Sequence, residues 1–218
     1  MIDTEKFDPG FPHPGTNDTI EFDWVARDRL LAGFLRISVR PADQCSWCSV
    51  VVHPVGSQPV VVLDWSLPTA SGGFAFRAPG IWADLVCETP IEQWTVGLEA
   101  FGVAVEPGEV LTPDSFGERT PVGLDLDVEA ISAPDELVSG FEHQVSVRGE
   151  VLVGPDAYEI DGRGTRRRWW GPYEPLLERQ PPDLEIQTQI AIQWPDRPTP
   201  HRRGWVLGSR PGWVELSS

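Results

Sequence analysis

Three consecutive arginines, Arg166-Arg167-Arg168, stand in a chain of 218 residues whose 33 acidic and 17 basic side chains leave a formal net charge of −16. Guanidinium groups grip carboxylates, tetronates and diketones through paired hydrogen bonds. Together with Arg163 the run forms a cationic cluster, whose plainer use is to neutralise neighbours such as Glu159 and Asp161. On a strand, alternation sends Arg166 and Arg168 to one face and Arg167 to the other. Arg166 is thus a candidate for polarising a substrate carbonyl, and Arg168 for binding. Upstream, Glu142 follows Phe141, and Glu99 lies between Leu98 and Ala100. A carboxylic acid kept neutral by apolar burial could protonate an alkene. Asp64 and Asp84 are weaker candidates; for all four the plain alternative is an exposed strand position. His143 could exchange a proton, and Gln144 could orient a carbonyl. Only one of Glu142 and His143 can line an interior, because strand neighbours face opposite ways.

Walls for a greasy substrate are plentiful. Ten tryptophans recur about once per expected strand. Each indole needs an apolar berth and a partner for its N–H, and its face stabilises developing positive charge. Trp82, Trp94, Trp170 and Trp194, with Phe101 and Phe141, are the candidate substrate-binding aromatics, joined by His143 and Arg168. The competing use of the same rings is ordinary core packing.

The elements that must position these groups are strands. An irregular arm, residues 1–20, carries Asp8-Pro9-Gly10-Phe11-Pro12-His13-Pro14-Gly15 and precedes a single β domain over 21–218. Arg29 to Val39 places Leu31, Leu35, Ile37 and Val39 on one face. β-branched runs cover Ser46 to Val52 and Val60 to Trp65, and Phe74 to Val86 holds two strands broken at Pro79-Gly80. Trp94 to Glu106 alternates, and Leu124 to Ala130 alternates strictly, with Asp125, Asp127 and Glu129 forming a solvated ladder. Phe141 to Val153 and Tyr158 to Trp170 read as a hairpin turned at Gly154-Pro155-Asp156. Leu184 to Trp194, Arg202 to Gly208 and Trp213 to Leu216 complete the series. Short helices are expected at most at Pro134 to Ser139 or Pro175 to Arg179. Ten or more turn-separated strands predict an all-β antiparallel barrel, in one sheet or two halves joined through Pro107 to Pro121.

Composition narrows the chemistry. A strongly acidic chain does not suit nucleic acid or anionic membranes, and no run approaches the roughly 18 apolar residues of a membrane span. The N-terminal stretch lacks the basic and apolar regions of a signal peptide, so cytoplasmic residence is expected. Cys45 and Cys48 fall on opposite strand faces, no second pair completes a metal site, and the histidines lack ligand spacing. A nucleophile elbow and a Gly-x-Gly-x-x-Gly turn are both missing from the sequence, so no metal and no cofactor is expected.

The run Phe141-Glu142-His143-Gln144, Val147-Arg148-Gly149-Glu150-Val151, Tyr158 to Arg166 and Trp170-Gly171 resembles the hydroxyneurosporene synthase (carotenoid hydratase) group. Gly80-Ile81-Trp82, Pro90 to Trp94, Glu99-Ala100 and Pro121 to Glu129 look like the preceding strands of that family, so the resemblance spans roughly residues 75–172. It implies a lipocalin-like barrel enclosing a hydrophobic substrate, and a family containing hydratases and cyclases, many without cofactors. Arg167 and Arg168 stand where that family's signature has Asp and His, which removes its acid pair. The resulting expectation is a cofactor-independent, Diels–Alder-type cyclase acting on a polyunsaturated metabolite, with Glu142, Gln144, Glu99 and Arg166 as catalytic candidates. The alternatives are a non-catalytic carrier and a proton-initiated hydratase or terpenoid cyclase. A hydrophobic small molecule is the expected partner, and an oligomer is compatible with the sequence.

Overall fold

A computed structural model of the protein describes residues 7–69, 73–106, 108–171, 185–207 and 212–216. Its strands are β1 (Asp18–Ala26), β2 (Leu31–Arg40), β3 (Cys45–Pro54), β4 (Val60–Pro68), β5 (Phe74–Ala78), β6 (Ile81–Thr89), β7 (Gln93–Ala104) and β8 (Val110–Leu111). They continue with β9 (Glu118–Ala130), β10 (Asp135–Leu137), β11 (Gly140–Val153), β12 (Asp156–Trp170), β13 (Glu185–Ile192), β14 (His201–Leu207) and β15 (Gly212–Leu216). The expected antiparallel barrel is present. Pairing runs β11-β12-β1-β2-β3-β4-β7, and β9 joins β7 to β11 and closes the ring. β6 and β5 extend from the edge of β7. A second, smaller sheet, β15-β14-β13-β8, lies apart from the ring's hydrogen bonding.

Period-two alternation accounts for the ring's filling. Ile20, Phe22 and Trp24 of β1 point inward with Leu35 and Ile37, Val50 and Val52, Val96 and Leu98, Leu124 and Leu126, and Val145 and Val147. The ring's interior is therefore packed by side chains along its length, and Trp24 and Trp94 are among the packing groups. The opposite faces of β1 to β4 are also buried. Val25, Phe34, Trp47, Val51 and Val61 meet Ile190, Ile192, Trp194, Trp205 and Trp213 of the second sheet and its flank. Strands buried on both faces lose the apolar–polar alternation of an ordinary barrel wall. The facing strands β6, β7, β9 and β11 keep it, and Asp125, Asp127 and Glu129 are solvent-exposed as expected.

Two expectations about elements change. Strand signals in the sequence begin at Arg29, yet β1 starts at Asp18, inside the stretch assigned to the arm. Its acids at 18, 21 and 23 make it read as loop. Pro134 to Ser139 forms no helix. Asp135–Leu137 instead pairs with Gly140 to Glu142 beyond the point where β9 leaves β11, satisfying that exposed edge. Pro175 to Arg179 lies outside the described residues.

β1 and β12 approach very closely. A Cβ added at Gly164 would overlap the Asp23 carbonyl, and one at Gly162 the Val25 carbonyl, backbone atoms that cannot step aside. Gly164→Ala is expected to destabilise the fold by about 1–3 kcal/mol or more through overpacking. Gly56→Ala, where nothing stands within 4 Å but φ is +79°, carries only the strain of a positive φ, about 1 kcal/mol. Thermal melts of the two variants check the difference, and an equal or smaller loss at Gly164 would refute the close-approach argument.

Candidate functional site

Alternation along β12 splits the arginine run between two buried networks. Ile160 of the same strand points into the ring, so Arg166 and Arg168 point inward and Arg167 points toward the second sheet. Glu159 and Asp161, the neighbours that sequence proximity suggested as counter-charges, are exposed. The partners come from far away in the chain.

Inside the ring, at the end where β1 begins and β12 finishes, Asp8 of the arm is fully buried. Arg166 donates to both its oxygens, Nη1 to Oδ2 at 2.8 Å and Nη2 to Oδ1 at 2.5 Å. Arg168 Nη1 adds a bond at 2.9 Å, Trp94 Nε1 one at 3.3 Å, and the Ile91 N–H one at 2.6 Å. Arg168 also donates from Nη2 and Nε to Asp18, at 2.9 and 3.2 Å, and to the carbonyls of Pro9 and Phe11. His13 shares Asp18 through its backbone N–H and Nδ1. Burial alone would raise the Asp8 carboxyl, but the Arg166 and Arg168 charges outweigh it and hold the group at about 2. Asp18 is likewise held low against burial, by His13 and Arg168.

Aromatic rings wall this recess. The Arg166 guanidinium carbon lies 4.7 Å from the Trp94 ring centroid, 5.0 Å from that of Phe141 and 5.7 Å from that of Phe22. Arg168 lies 5.2 Å from Phe74. Trp170 closes the rim, stacked on His13 and edge-on to Phe7. His143 is inside too, at 2 % exposure, with neither ring nitrogen in a well-formed hydrogen bond. Burial first, then the Arg166 charge, push it down to about 4, against weaker pulls from Asp8 and the Ser132 backbone. The imidazole is therefore neutral at ordinary pH. The recess thus assembles six residues selected from sequence: Trp94, Phe141, His143, Arg166, Arg168 and Trp170.

On the other face of β12, Arg167 donates to Glu21 at 2.8 Å and to Glu142 at 3.1 Å, with Asp23 at 3.6 Å. Arg203 of β14 reaches Glu21 at 3.0 Å and Asp23 at 3.4 Å. Arg36 of β2 stacks over Trp194 at 4.2 Å and Trp169 at 4.9 Å. Glu21 would be raised by burial, but Arg203, Arg167 and Arg36 hold it at about 2. Asp23, two residues on, is raised: burial outweighs Arg167 and Arg203, and Glu21 adds to it. This second network pins the small sheet to the ring. Glu142 is buried, but bonded to a guanidinium rather than set among apolar atoms. Gln144 bonds Thr165 at 3.2 Å on the same outward face. Neither shares the recess with Arg166, and Trp194 belongs to the inter-sheet core.

Glu99 and the remaining two aromatics lie elsewhere. Trp82 pairs with Glu99 across β6 and β7, and Phe101 follows on the same outer face. All three line an open depression of about 450 Å3 with Pro121, Gly123 and Leu152. Glu99 faces solvent and is not set among buried apolar atoms.

Sequence reasoning missed Asp8, Asp18, Glu21, Asp23, Arg36 and Arg203. Asp8 sits in an irregular Pro- and Gly-rich stretch with no periodicity to give its side chain a direction. The one readable signal was the alternation Asp18-x-Ile20-Glu21-Phe22-Asp23-Trp24, an amphipathic strand with acids spaced to meet arginines.

Among the described residues, no group of three or more His, Cys, Asp or Glu is arranged to hold a metal ion. Cys45, Cys48 and Cys87 are free thiols. No helix among the described residues is long and apolar enough to cross a membrane. No curated protein and no solved structure matches the chain. A family model does, over residues 3–209, a span holding the arm, the ring and both networks. The chain belongs to that family, described as a domain of unknown function, DUF7064.

Proposed function

We propose that the protein binds a hydrophobic, unsaturated small molecule bearing a carboxylate or an equally acidic enol, with its acidic head on Arg166 and Arg168. The observation that carries this reading is two fully buried guanidiniums facing a ring of aromatic faces at one end of the barrel. Burying cations costs several kcal/mol each unless an anion meets them in good geometry, and apolar residues would have filled the same space more cheaply. The packed interior of the barrel supports a reading in which the ligand sits at this end rather than in the middle.

The activity we propose for this site is a cofactor-free ring closure of the bound polyene. Support for it comes from the resemblance to hydratases and cyclases and from the aromatic walls. Folding a flexible chain into one reactive conformer is a rate gain that needs no acid, and neutral His143 beside Arg166 could polarise a carbonyl. Solvent deuterium in a cyclic product would point instead to a proton-initiated reaction, and binding without conversion to a carrier.

The binding claim is tested by fluorescence titration with a conjugated polyene fatty acid such as parinaric acid, and with its methyl ester. The acid should bind at least 10-fold more tightly than the ester, and Arg166→Gln should erase that preference. Equal binding of acid and ester by the parent chain would refute the arginine-headed site.

A further inference from the structure

We infer that the N-terminal arm is a gate over this recess, and that the Asp8 carboxylate occupies the place a ligand's own carboxylate takes when the arm withdraws. The inference rests on the proposed ligand site and adds its control and its charge selectivity.

Asp8 is held as an incoming acid would be. Five donors converge on its two oxygens: two from Arg166 and one each from Arg168, Trp94 and the Ile91 backbone. A strand residue could have supplied that carboxylate permanently, as β1 supplies Asp18 to Arg168. It comes instead from a segment outside the sheet. Pro9, Pro12 and Pro14 lack amide donors. Among the described residues, the backbone–backbone bond tying the arm to the barrel is at its base, from the Gly171 N–H to the Asn17 carbonyl. The rest of the hold is side-chain: Arg168 on the Pro9 and Phe11 carbonyls, Phe7 against Phe141 and Trp170, and His13 on Asp18 and Trp170.

Charge sets what the open recess would accept. With the arm docked, Arg166 and Arg168 balance Asp8 and Asp18. With the arm away, Asp18 remains on β1 and Arg168 keeps a partner, while Arg166 faces aromatic walls and a neutral His143. The recess then carries one uncompensated positive charge. It is matched to a monoanion, one carboxylate on an apolar body, rather than to a dianion such as a phosphate ester.

The arm can be locked shut through a native thiol. A Cβ placed on Gly10 lies 3.2 Å from the Cys87 Cβ, a few tenths of an ångström below the roughly 3.5–4.5 Å of a disulfide. Gly10→Cys, oxidised and verified by mass and thiol count, should bind parinaric acid at least 20-fold more weakly than its reduced form, and dithiothreitol should restore binding. Asp8→Asn, which keeps the arm's shape but removes its charge, should bind the acid at least 5-fold more tightly than the parent chain. The parent, taken through the same oxidation, controls for the other thiols. Unchanged affinity in the oxidised lock or in Asp8→Asn would overturn the gate, while a surviving preference for acid over ester would leave the ligand site standing. Loss of that preference in both the reduced lock and Asp8→Asn would overturn the site and the gate together.

Discussion

Arg167→Met should destabilise the fold by about 3–5 kcal/mol, the cost of breaking a buried ion pair by removing one partner. The substitution roughly preserves volume but leaves Glu21, Asp23 and Glu142 with one fewer cation, in a place where each is less than a tenth exposed. Glu21 and Asp23 face each other's charge as well, so the loss falls on acids that already repel. Arg27→Ala, which removes an exposed pair with Asp161, should cost less than about 1 kcal/mol. Urea midpoints at constant slope separate the two cases. If Arg167→Met unfolds within 1 kcal/mol of the parent chain, the second network does not hold the sheets together.

The second large effect is a pH dependence assigned to one residue. His143 is held at about 4 against an ordinary 6.5, so between those values the unfolded chain binds a proton that the folded chain refuses. The imidazole's contribution to stability therefore rises with pH across that window, by at most roughly 3 kcal/mol. The groups facing the imidazole are Arg166, Asp8 and the Ser132 backbone. Asp8 and Glu21, each held at about 2, add stabilisation that is present above their unfolded values and lost as pH falls toward 2. Asp23, raised on folding above an ordinary 3.8, works in the opposite direction and above that value, so its slope overlaps the imidazole's window and the measured curve there is a composite. His143→Gln isolates the imidazole by difference: from pH 6.5 down to 4 the parent chain should lose up to roughly 3 kcal/mol more stability than the variant does. Parallel slopes in the two proteins would place the titration elsewhere.

The legible part of this protein is what alternation controls. β2, β7, β9, β11 and β12 follow from period-two patterns, and the same period dictates that Arg166 and Arg168 part company with Arg167. His143 inside and Glu142 outside follow from the same rule. Alternation gives no information about partners, however. Arg166 finds Asp8 across 158 residues of chain, and Arg203 finds Asp23 across 180; no local pattern encodes either. β1 escaped notice for a related reason. Its acids look solvated until a second sheet brings arginines to cover them. Among the tryptophans proposed for binding, Trp194 instead packs between the sheets with Trp47, Trp205 and Trp213, the core use that composition cannot distinguish from lining a pocket.

Closure of the ring through β1 and β12 has a consequence for how the chain is made. On the ribosome, β1 to β4 can form as consecutive hairpins, but the free edge of β1 has no mate until residues up to Trp170 have been synthesised. Such distant pairing makes folding slow, and through that delay an unpaired strand edge is open to other nascent chains. The arm can dock only after β12 delivers its arginines, so a segment translated before β1 is among the last to find its seat.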